Sequence, residues 1–219
     1  MNLLLKSSIG KKIIMALSAI FLIIFLLQHF LINITSVFNP ELFNMLSHFM
    51  GTNIVVQFIF QPILIFGVLI HFVLGFILEY KNRRSQTYQY NKLSNNNIST
   101  WASRNMIWSG LVILFFLVLH FYDFWVPEIN YKYVQFLPDD PSRYYDELTH
   151  KFINPIRVGL YCFSFILLGI HLSHGFSSSI KSLGLANSYK KNIQLIGNLY
   201  SLFIPLGFCI IALYHHLNH

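Results

Sequence analysis

The chain has 219 residues, of which 55% are hydrophobic and 11% are charged, and its mean hydropathy is +0.55. These values exclude an ordinary soluble domain, in which about a quarter of the residues are charged. The net charge of +7 does not indicate a nucleic-acid partner, because the basic residues punctuate apolar runs instead of gathering in one segment. We therefore expect an integral membrane protein in contact with lipid.

Five runs are long and apolar enough to cross a bilayer, which takes about 20 helical residues. They predict an all-α bundle of five transmembrane helices, at about 13–36, 54–79, 105–126, 155–178 and 193–216. Only connectors remain, so we expect a single domain over 1–219, and any reaction on a water-soluble substrate belongs to a partner. Although lysines precede the first run, it continues to about Phe38 without a small-residue cleavage site, and we interpret it as a retained span.

The basic residues predict the orientation of the bundle. If the spans alternate in direction, eleven Lys and Arg residues fall on one side of the membrane and four on the other. The positive-inside rule then places the N-terminus in the cytoplasm and the C-terminus outside. At the start of the fourth span, Asn154 and Pro155 have the types expected of a helix N-cap and first helical position.

Histidines recur inside the predicted spans. An ionisable side chain in hydrocarbon is costly and by default marks a functional site that faces the bundle interior. For any single histidine, the alternative is a ring satisfied by a neighbouring Ser, Thr or carbonyl group. The span histidines are His29, His71, His120, His171 and His174. An interfacial role is expected for the others, which are His48, His150, His215, His216 and His219.

Depth in the membrane sorts four of these histidines into two pairs. His29 follows Lys12 by 17 residues and His120 follows Arg104 by 16, so both lie roughly 25 Å from the cytoplasmic charges. The other two, His71 and His171, each precede a lysine by 10 residues, or roughly 15 Å. Two imidazoles at each of two levels suit the axial positions of two stacked haems, which would transfer electrons. A zinc or copper site would gather three or four ligands at one height.

Glycines support the pair formed by His71 and His171. Gly67 and Gly75 flank His71 by four residues on either side, and Gly175 follows His171 by four. Because residues four apart share a helix face, these glycines predict a flat shelf for a porphyrin, or alternatively a close-packed helix interface. His174 competes with His171 for the ligand role but lacks both the matching depth and the following glycine. We expect it to neighbour the ligand or the haem propionates.

Four segments in order carry a resemblance to a known family. The chain resembles the five-span, di-haem cytochrome b membrane anchor of bacterial succinate dehydrogenase and fumarate reductase, respiratory complex II, in "GKKIIMALSAIFLIIFLLQHFLIN", "IHFVLGFILEYKNRR", "ASRNMIWSGLVILFFLVLHFYDFW" and "IHLSHGFSSSIKSLG". The last segment contains the pattern His-x3-Gly-x8-Gly from His171 through Gly175 to Gly184. The resemblance covers nearly the whole chain.

The resemblance implies a multi-pass protein of the bacterial inner membrane that holds two b haems. It would anchor the flavoprotein and iron–sulfur subunits, which act on the dicarboxylate, and exchange electrons with a quinone, for which the family suggests menaquinone. The first and third spans of the family hold the haem far from the soluble subunits, matching His29 and His120. The second and fourth hold the near haem, matching His71 and His171.

Residues for the quinone and for the partner subunits are less closely defined by the sequence. Asp123, one turn after His120, is expected to relay a proton to quinone, or alternatively to reach the membrane interface. Gln57 and Gln61 are candidates for a quinone carbonyl. On the cytoplasmic side, four basic residues are expected either to dock the iron–sulfur subunit and hold propionates or only to orient the chain and bind anionic lipid; they are Arg83, Arg84, Lys181 and Lys190.

Three other functions fit the same histidines. The chain would serve as the cytochrome b anchor of another respiratory enzyme, such as a hydrogenase or a formate dehydrogenase. It would alternatively be a carrier that uses the histidines as proton relays without iron, or an anchor that has lost its electron-transfer function. A reduced b-type spectrum separates the carrier from the cytochromes.

Overall fold

The computed structural model describes residues 7–86, 105–184 and 190–218, apart from a few side chains near the ends of these ranges that include Arg83 and Lys190. Of the described residues, 91% are helical and none lies in a strand. The all-α prediction is therefore confirmed.

Eight α-helices are present in the described ranges. They are α1 (Ser8–Phe38), α2 (Pro40–Thr52), α3 (Gln61–Gln86), α4 (Met106–His120), α5 (Val126–Ile129), α6 (Arg143–Phe152), α7 (Pro155–Ser182) and α8 (Lys190–Leu217). Three π-helical segments join or extend them, at Val56–Phe60, Phe121–Trp125 and Asn130–Val134.

Five of the continuous helical stretches are long and apolar enough to cross a membrane, as predicted. They are Ser8–Phe38, Val56–Asn82, Met106–Val134, Pro155–Ser182 and Lys191–Leu217, called here the first to fifth spans. This is the architecture of a multi-pass membrane protein. Many large apolar side chains, such as Ile24, Phe66 and Phe115, are accordingly exposed on the outside of the bundle.

The third span is longer than the sequence indicates. The apolar run predicts an end near residue 126, yet the helix continues to Val134. Pro127 lies at the start of α5, directly after the π-helical segment Phe121–Trp125. A π-helical turn shifts the hydrogen-bond register, so the proline begins a new α-helical register and does not stop the helix.

Two helices, α2 and α6, form a layer across the end of the bundle where the first span finishes. The Asn39 side chain caps α2 by accepting from the Leu42 amide at 2.9 Å, and Pro40 is its first residue. Asn44 joins the two helices, since its amide group donates to the Ser142 carbonyl at 2.8 Å and accepts from the Tyr145 amide at 2.7 Å. The bundle is therefore closed at this end by protein.

Ion pairs connect this layer to the end of the third span. Arg143 of α6 binds Glu128 of α5 and also Glu147, whose Oε1 lies 2.6 Å from the guanidinium. Burial lowers the pKa of Arg143, but the hydrogen bonds to both carboxylates outweigh burial and raise it above its ordinary value. Burial also raises the pKa of the neighbouring Tyr144 phenol. Arg143 thus remains charged and ties α6 to the third span.

The fourth span begins where the sequence predicts. Asn154 is the N-cap, its side-chain oxygen accepting from the amides of Ile156 at 2.9 Å and Arg157 at 3.3 Å, and Pro155 is the first helical residue. At the other end Gly184 has φ +74°, the left-handed conformation that closes many helices and that glycine adopts without a steric penalty.

The fifth span packs against the first and fourth. A Cβ atom on Gly207 would overlap the Phe30 ring, so the absence of a side chain there lets the fifth and first spans approach closely. Tyr200 of the fifth span donates to the Ile23 carbonyl at 2.6 Å. The buried cluster lies mainly between the fourth and fifth spans and the closing layer; it includes Phe43, Leu148, Phe152, Tyr161, Phe165, Ile204, Phe208 and Ile211.

Candidate functional site

The structure brings four span histidines together in two pairs. The His29 and His120 rings, from the first and third spans, lie with centroids 5.7 Å apart and an interplanar angle of 89°. Those of His71 and His171, from the second and fourth spans, lie 6.3 Å apart at 66°. These are the pairs expected from depth alone, and each joins two spans of the same direction.

His171, and not His174, faces His71 across the bundle. His174 follows one turn later on the same helix and is half-buried. This placement agrees with the expected roles of a ligand for His171 and a neighbour for His174. Whether either histidine binds metal stays a prediction.

A serine holds each ring of the His71–His171 pair. Ser18 Oγ, on the first span, lies 3.2 Å from His71 Nδ1, and Ser109 Oγ, on the third span, lies 3.1 Å from His171 Nδ1. Each hydroxyl also donates to the backbone carbonyl three residues before it, Ser18 to Met15 at 2.9 Å and Ser109 to Met106 at 3.0 Å. Because each hydroxyl proton goes to that carbonyl, the serine oxygen can accept from its histidine in the tautomer that carries the proton on Nδ1.

This hydrogen bonding defines the chemistry of the pair. A neutral imidazole carries one N–H and one bare nitrogen, and the partner of the protonated nitrogen selects the tautomer. Protonation of Nδ1 leaves Nε2 of both His71 and His171 unprotonated, which is the state that binds a metal ion.

The two serines, which the sequence analysis misses, lie in a repeated pattern. The first and third spans share Met-x2-Ser-x6-Phe-x3-His, ending at His29 and His120. The second and fourth spans share Ile-His-x3-Gly-Phe-x4-Lys, around His71 and His171. Comparing the first two spans with the next two, instead of searching for short periods, reveals both patterns.

The repeated residues also make repeated contacts. A Cβ atom on Gly75 would lie 3.6 Å from Met15 Cε, and one on Gly175 would lie 3.6 Å from Met106 Cε. Phe25 stacks on His29 with centroids 5.6 Å apart, and Phe116 stacks on His120 at 5.7 Å. The first and second spans therefore form one half of the site, and the third and fourth spans form an equivalent half.

The spacing of the rings fits one metal ion between each pair. Metal–imidazole bonds are about 2 Å long, so two rings on opposite sides of one ion have centroids about 6 Å apart. The observed 5.7 and 6.3 Å lie close to this value. Among the described residues, no group of three or more His, Cys, Asp or Glu side chains is placed to hold a metal ion. Two ligands at each level suit an ion that a macrocycle already holds by its other positions, as in haem.

The surroundings of the other pair are different. His120 Nδ1 is buried and has no hydrogen-bond partner among the described residues. The Asn33 amide nitrogen lies 3.4 Å from His29 Nε2 and 3.5 Å from Nδ1, while donating to the His29 carbonyl at 2.8 Å. The His29–His120 pair therefore has no counterpart to the two serines, although its distance equally fits an ion between the rings.

The three predicted glycine shelves are in contact with side chains. Met15 and Met106 lie against Gly75 and Gly175, whereas a Cβ atom on Gly67 would lie 2.9 Å from the Phe21 ring. Both methionines meet their glycine through the flexible methyl end, and Phe21 covers Gly67 with a ring. A role for these glycines against a porphyrin stays a prediction.

Asp123 is buried inside the bundle. Its exposed fraction is 1%, and its Oδ2 accepts from the Tyr161 hydroxyl at 2.8 Å and lies 3.3 Å from Arg157 Nε. Oδ1 is also buried, with no hydrogen-bond partner among the described residues. Tyr161 lies beside His120, with ring centroids 6.4 Å apart. The carboxylate is thus joined to the surroundings of the His29–His120 pair through Tyr161.

Gln57 and Gln61 occupy different environments. Gln57 accepts from the Tyr133 hydroxyl at 3.1 Å and lines an open cleft of about 240 Å³ with Lys132 and Asp139. Gln61 is half-buried and is not among the residues that line this cleft. No hydrogen bond in the described part of the chain joins either glutamine to Asp123, and a shared quinone site stays a prediction.

Two of the histidines outside the pairs differ from the interfacial expectation. His215 is 2% exposed, and its Nε2 lies 2.9 Å from Ser36 Oγ, which donates to the Asn33 carbonyl at 2.6 Å. His216 Nδ1 lies 2.9 Å from the Phe152 carbonyl. Both rings are held by the protein, because α6 and the end of the first span cover the end of the fifth span that the sequence leaves open to solvent.

Of the basic residues expected at the cytoplasmic side, Arg84 and Lys181 are exposed. The side chains of Arg83 and Lys190 lie outside the described part of the structure.

A comparison of the chain with protein-family models, curated proteins and solved structures finds no match.

Proposed function

We propose that this chain is a di-haem cytochrome b that carries electrons across part of a membrane. The observation that supports this most is the arrangement of four histidines, one from each of four spans, in two facing pairs with centroids 5.7 and 6.3 Å apart. Haem iron held between two imidazoles has no open coordination position for oxygen, and when bound it supplies one-electron transfer.

The sequence resemblance extends this proposal to a partner enzyme. The chain would anchor the flavoprotein and iron–sulfur subunits of a bacterial succinate dehydrogenase or fumarate reductase at the inner membrane. Succinate oxidation releases two electrons and two protons on those subunits, and quinone reduction consumes two of each in the membrane. His71 and His171 hold the position nearer the cytoplasmic subunits in this proposal, and His29 and His120 hold the farther one.

We propose Asp123, with Gln61, for contact with the quinone, menaquinone being the species that the resemblance suggests. Asp123 supports this because it is a buried carboxylate near His120 with one oxygen unpaired in the described structure. Tyr161 and Arg157 fix the other oxygen, leaving the unpaired one to accept or deliver a proton.

The test is to purify the tagged chain from its own membranes in a mild detergent and identify what accompanies it. Co-purification of a flavoprotein and an iron–sulfur subunit, with b-type bands that appear on adding succinate, supports the proposal. Bands that hydrogen or formate reduces, with the corresponding enzyme present, would instead establish the other anchor function. A colourless preparation that moves protons would establish a carrier.

A further inference from the structure

We infer that Ser18 and Ser109 are positioning residues that lower the midpoint potential of the haem held by His71 and His171, acting equally from its two sides. This rests on the proposed function, since it concerns a haem on that pair.

Both serine hydroxyls accept a hydrogen bond from the histidine Nδ1, as their own protons go to the Met15 and Met106 carbonyls. Each serine therefore holds its ring through Nδ1 and leaves Nε2 free of that bond. A free imidazole would exchange tautomers and rotate about its side-chain bonds, and a ligand fixed in advance avoids that cost.

The same hydrogen bond changes the electronic character of the ligand. An Nδ1–H that donates to an oxygen makes the imidazole a stronger electron donor to the metal. Stronger donation stabilises the oxidised iron relative to the reduced iron, which lowers the potential. Nothing equivalent acts on His120, whose Nδ1 has no hydrogen-bond partner in the described part of the chain.

Equality of the two serines follows from the repeated pattern. Ser18 and Ser109 hold the same position in Met-x2-Ser-x6-Phe-x3-His, and their distances to Nδ1 are 3.2 and 3.1 Å. Each serine comes from the span that neighbours its histidine within one half of the site. The two serine contacts therefore match, while the His171 ring has a further interaction with the Met106 carbonyl.

The experiment is a redox titration of the purified protein with its subunits, followed through the b-type absorption bands. The haem of the His71–His171 pair is identified as the species that His71→Ala loses. Ser18→Ala and Ser109→Ala are each expected to raise its midpoint potential by a similar amount, the double variant by more, with the other haem unchanged. Ser18→Thr and Ser109→Thr keep a hydroxyl and are expected to retain the wild-type potential.

Ser201→Ala is the matched control. Ser201 is a buried serine of the fifth span that also donates to the carbonyl three residues before it, Asn198, at 3.0 Å. It holds none of the paired histidines, so its loss is expected to leave both potentials unchanged.

The outcomes separate the two claims. Wild-type protein without haem overturns the proposed function, and this inference with it. Wild-type protein with two haems, whose potentials do not move in either alanine variant, overturns the inference alone. A shift that Ser201→Ala reproduces likewise overturns it, since that effect would come from loosening a span.

Discussion

His29 and His120 face each other edge to face, with ring centroids 5.7 Å apart, although they come from the first and third spans. The two rings are brought together by spans that run in the same direction. Their separation in sequence means that tertiary packing alone sets this distance.

Substitution of single histidines is expected to remove haems in a paired pattern. His29→Ala and His120→Ala should each lose the same haem, because either change removes one of two axial ligands. His71→Ala and His171→Ala should each lose the other. The measurement is haem per purified chain, with the spectrum of the haem that remains.

His174→Ala is the control for this pattern, being on the same helix as His171 but not facing His71. It is expected to retain both haems. Loss of a haem in His174→Ala, with His171→Ala keeping two, would reverse the assignment of the ligand.

Removal of the Tyr161 hydroxyl is expected to destabilise the protein more than removal of the Tyr200 hydroxyl, which is half-buried. Tyr161→Phe takes a donor from the buried Asp123 carboxylate, and hydrogen bonds to charged groups contribute about 1.5–3 kcal/mol. Tyr200→Phe removes a bond to the neutral Ile23 carbonyl, worth about 1 kcal/mol. Thermal unfolding in detergent measures the stability of both variants. A smaller loss of stability for Tyr161→Phe than for Tyr200→Phe would contradict the hydrogen bond between Tyr161 and the Asp123 carboxylate.

Gly207→Ala is expected to destabilise the contact between the first and fifth spans. The added Cβ would overlap the Phe30 ring, and overpacking of this kind costs about 1–3 kcal/mol. Gly159→Ala is the matched change, because a Cβ there meets nothing within 4 Å. Gly159→Ala should leave the unfolding temperature unchanged or raise it. An equal fall in unfolding temperature for both variants would contradict the close approach of the first and fifth spans at Gly207.

The orientation of the bundle is open to a direct test. Eleven basic residues against four predict a cytoplasmic N-terminus and an external C-terminus. Alkaline phosphatase, which is active only outside the cytoplasm of a bacterium, should be active when fused after the fifth span and inactive when fused between the second and third. Activity in the reverse pattern would show that the N-terminus lies outside and the C-terminus in the cytoplasm.

Much of the fold is predictable because its signals are local. The length and hydropathy of the apolar runs are enough to predict five spans, and Asn154 followed by Pro155 predicts the start of a helix. Asn39 and Pro40 carry the same signal for α2, and comparing the two sites would have predicted that helix too. The continuation of the third span past Pro127 was not predictable, because it depends on a π-helical register that sequence periodicity does not encode.

The paired histidines are predictable from depth, since rise per residue converts sequence distance into height. Height in the membrane does not determine which side chains contact a ring. The contacts of Ser18 with His71 and of Ser109 with His171 are therefore seen only in the packed structure. For the same reason the sequence misplaces His215, which is buried against Ser36 of the first span and Tyr145 of α6 rather than exposed at a free end.

The most direct test of the account is the amount of haem bound to the purified wild-type protein, measured by pyridine haemochrome and compared with protein mass. Two b haems per chain, both reducible and neither covalently attached, are expected, since each histidine pair holds one iron. A fully functional preparation with no haem would contradict the central claim, because the four paired imidazoles would then serve some other chemistry.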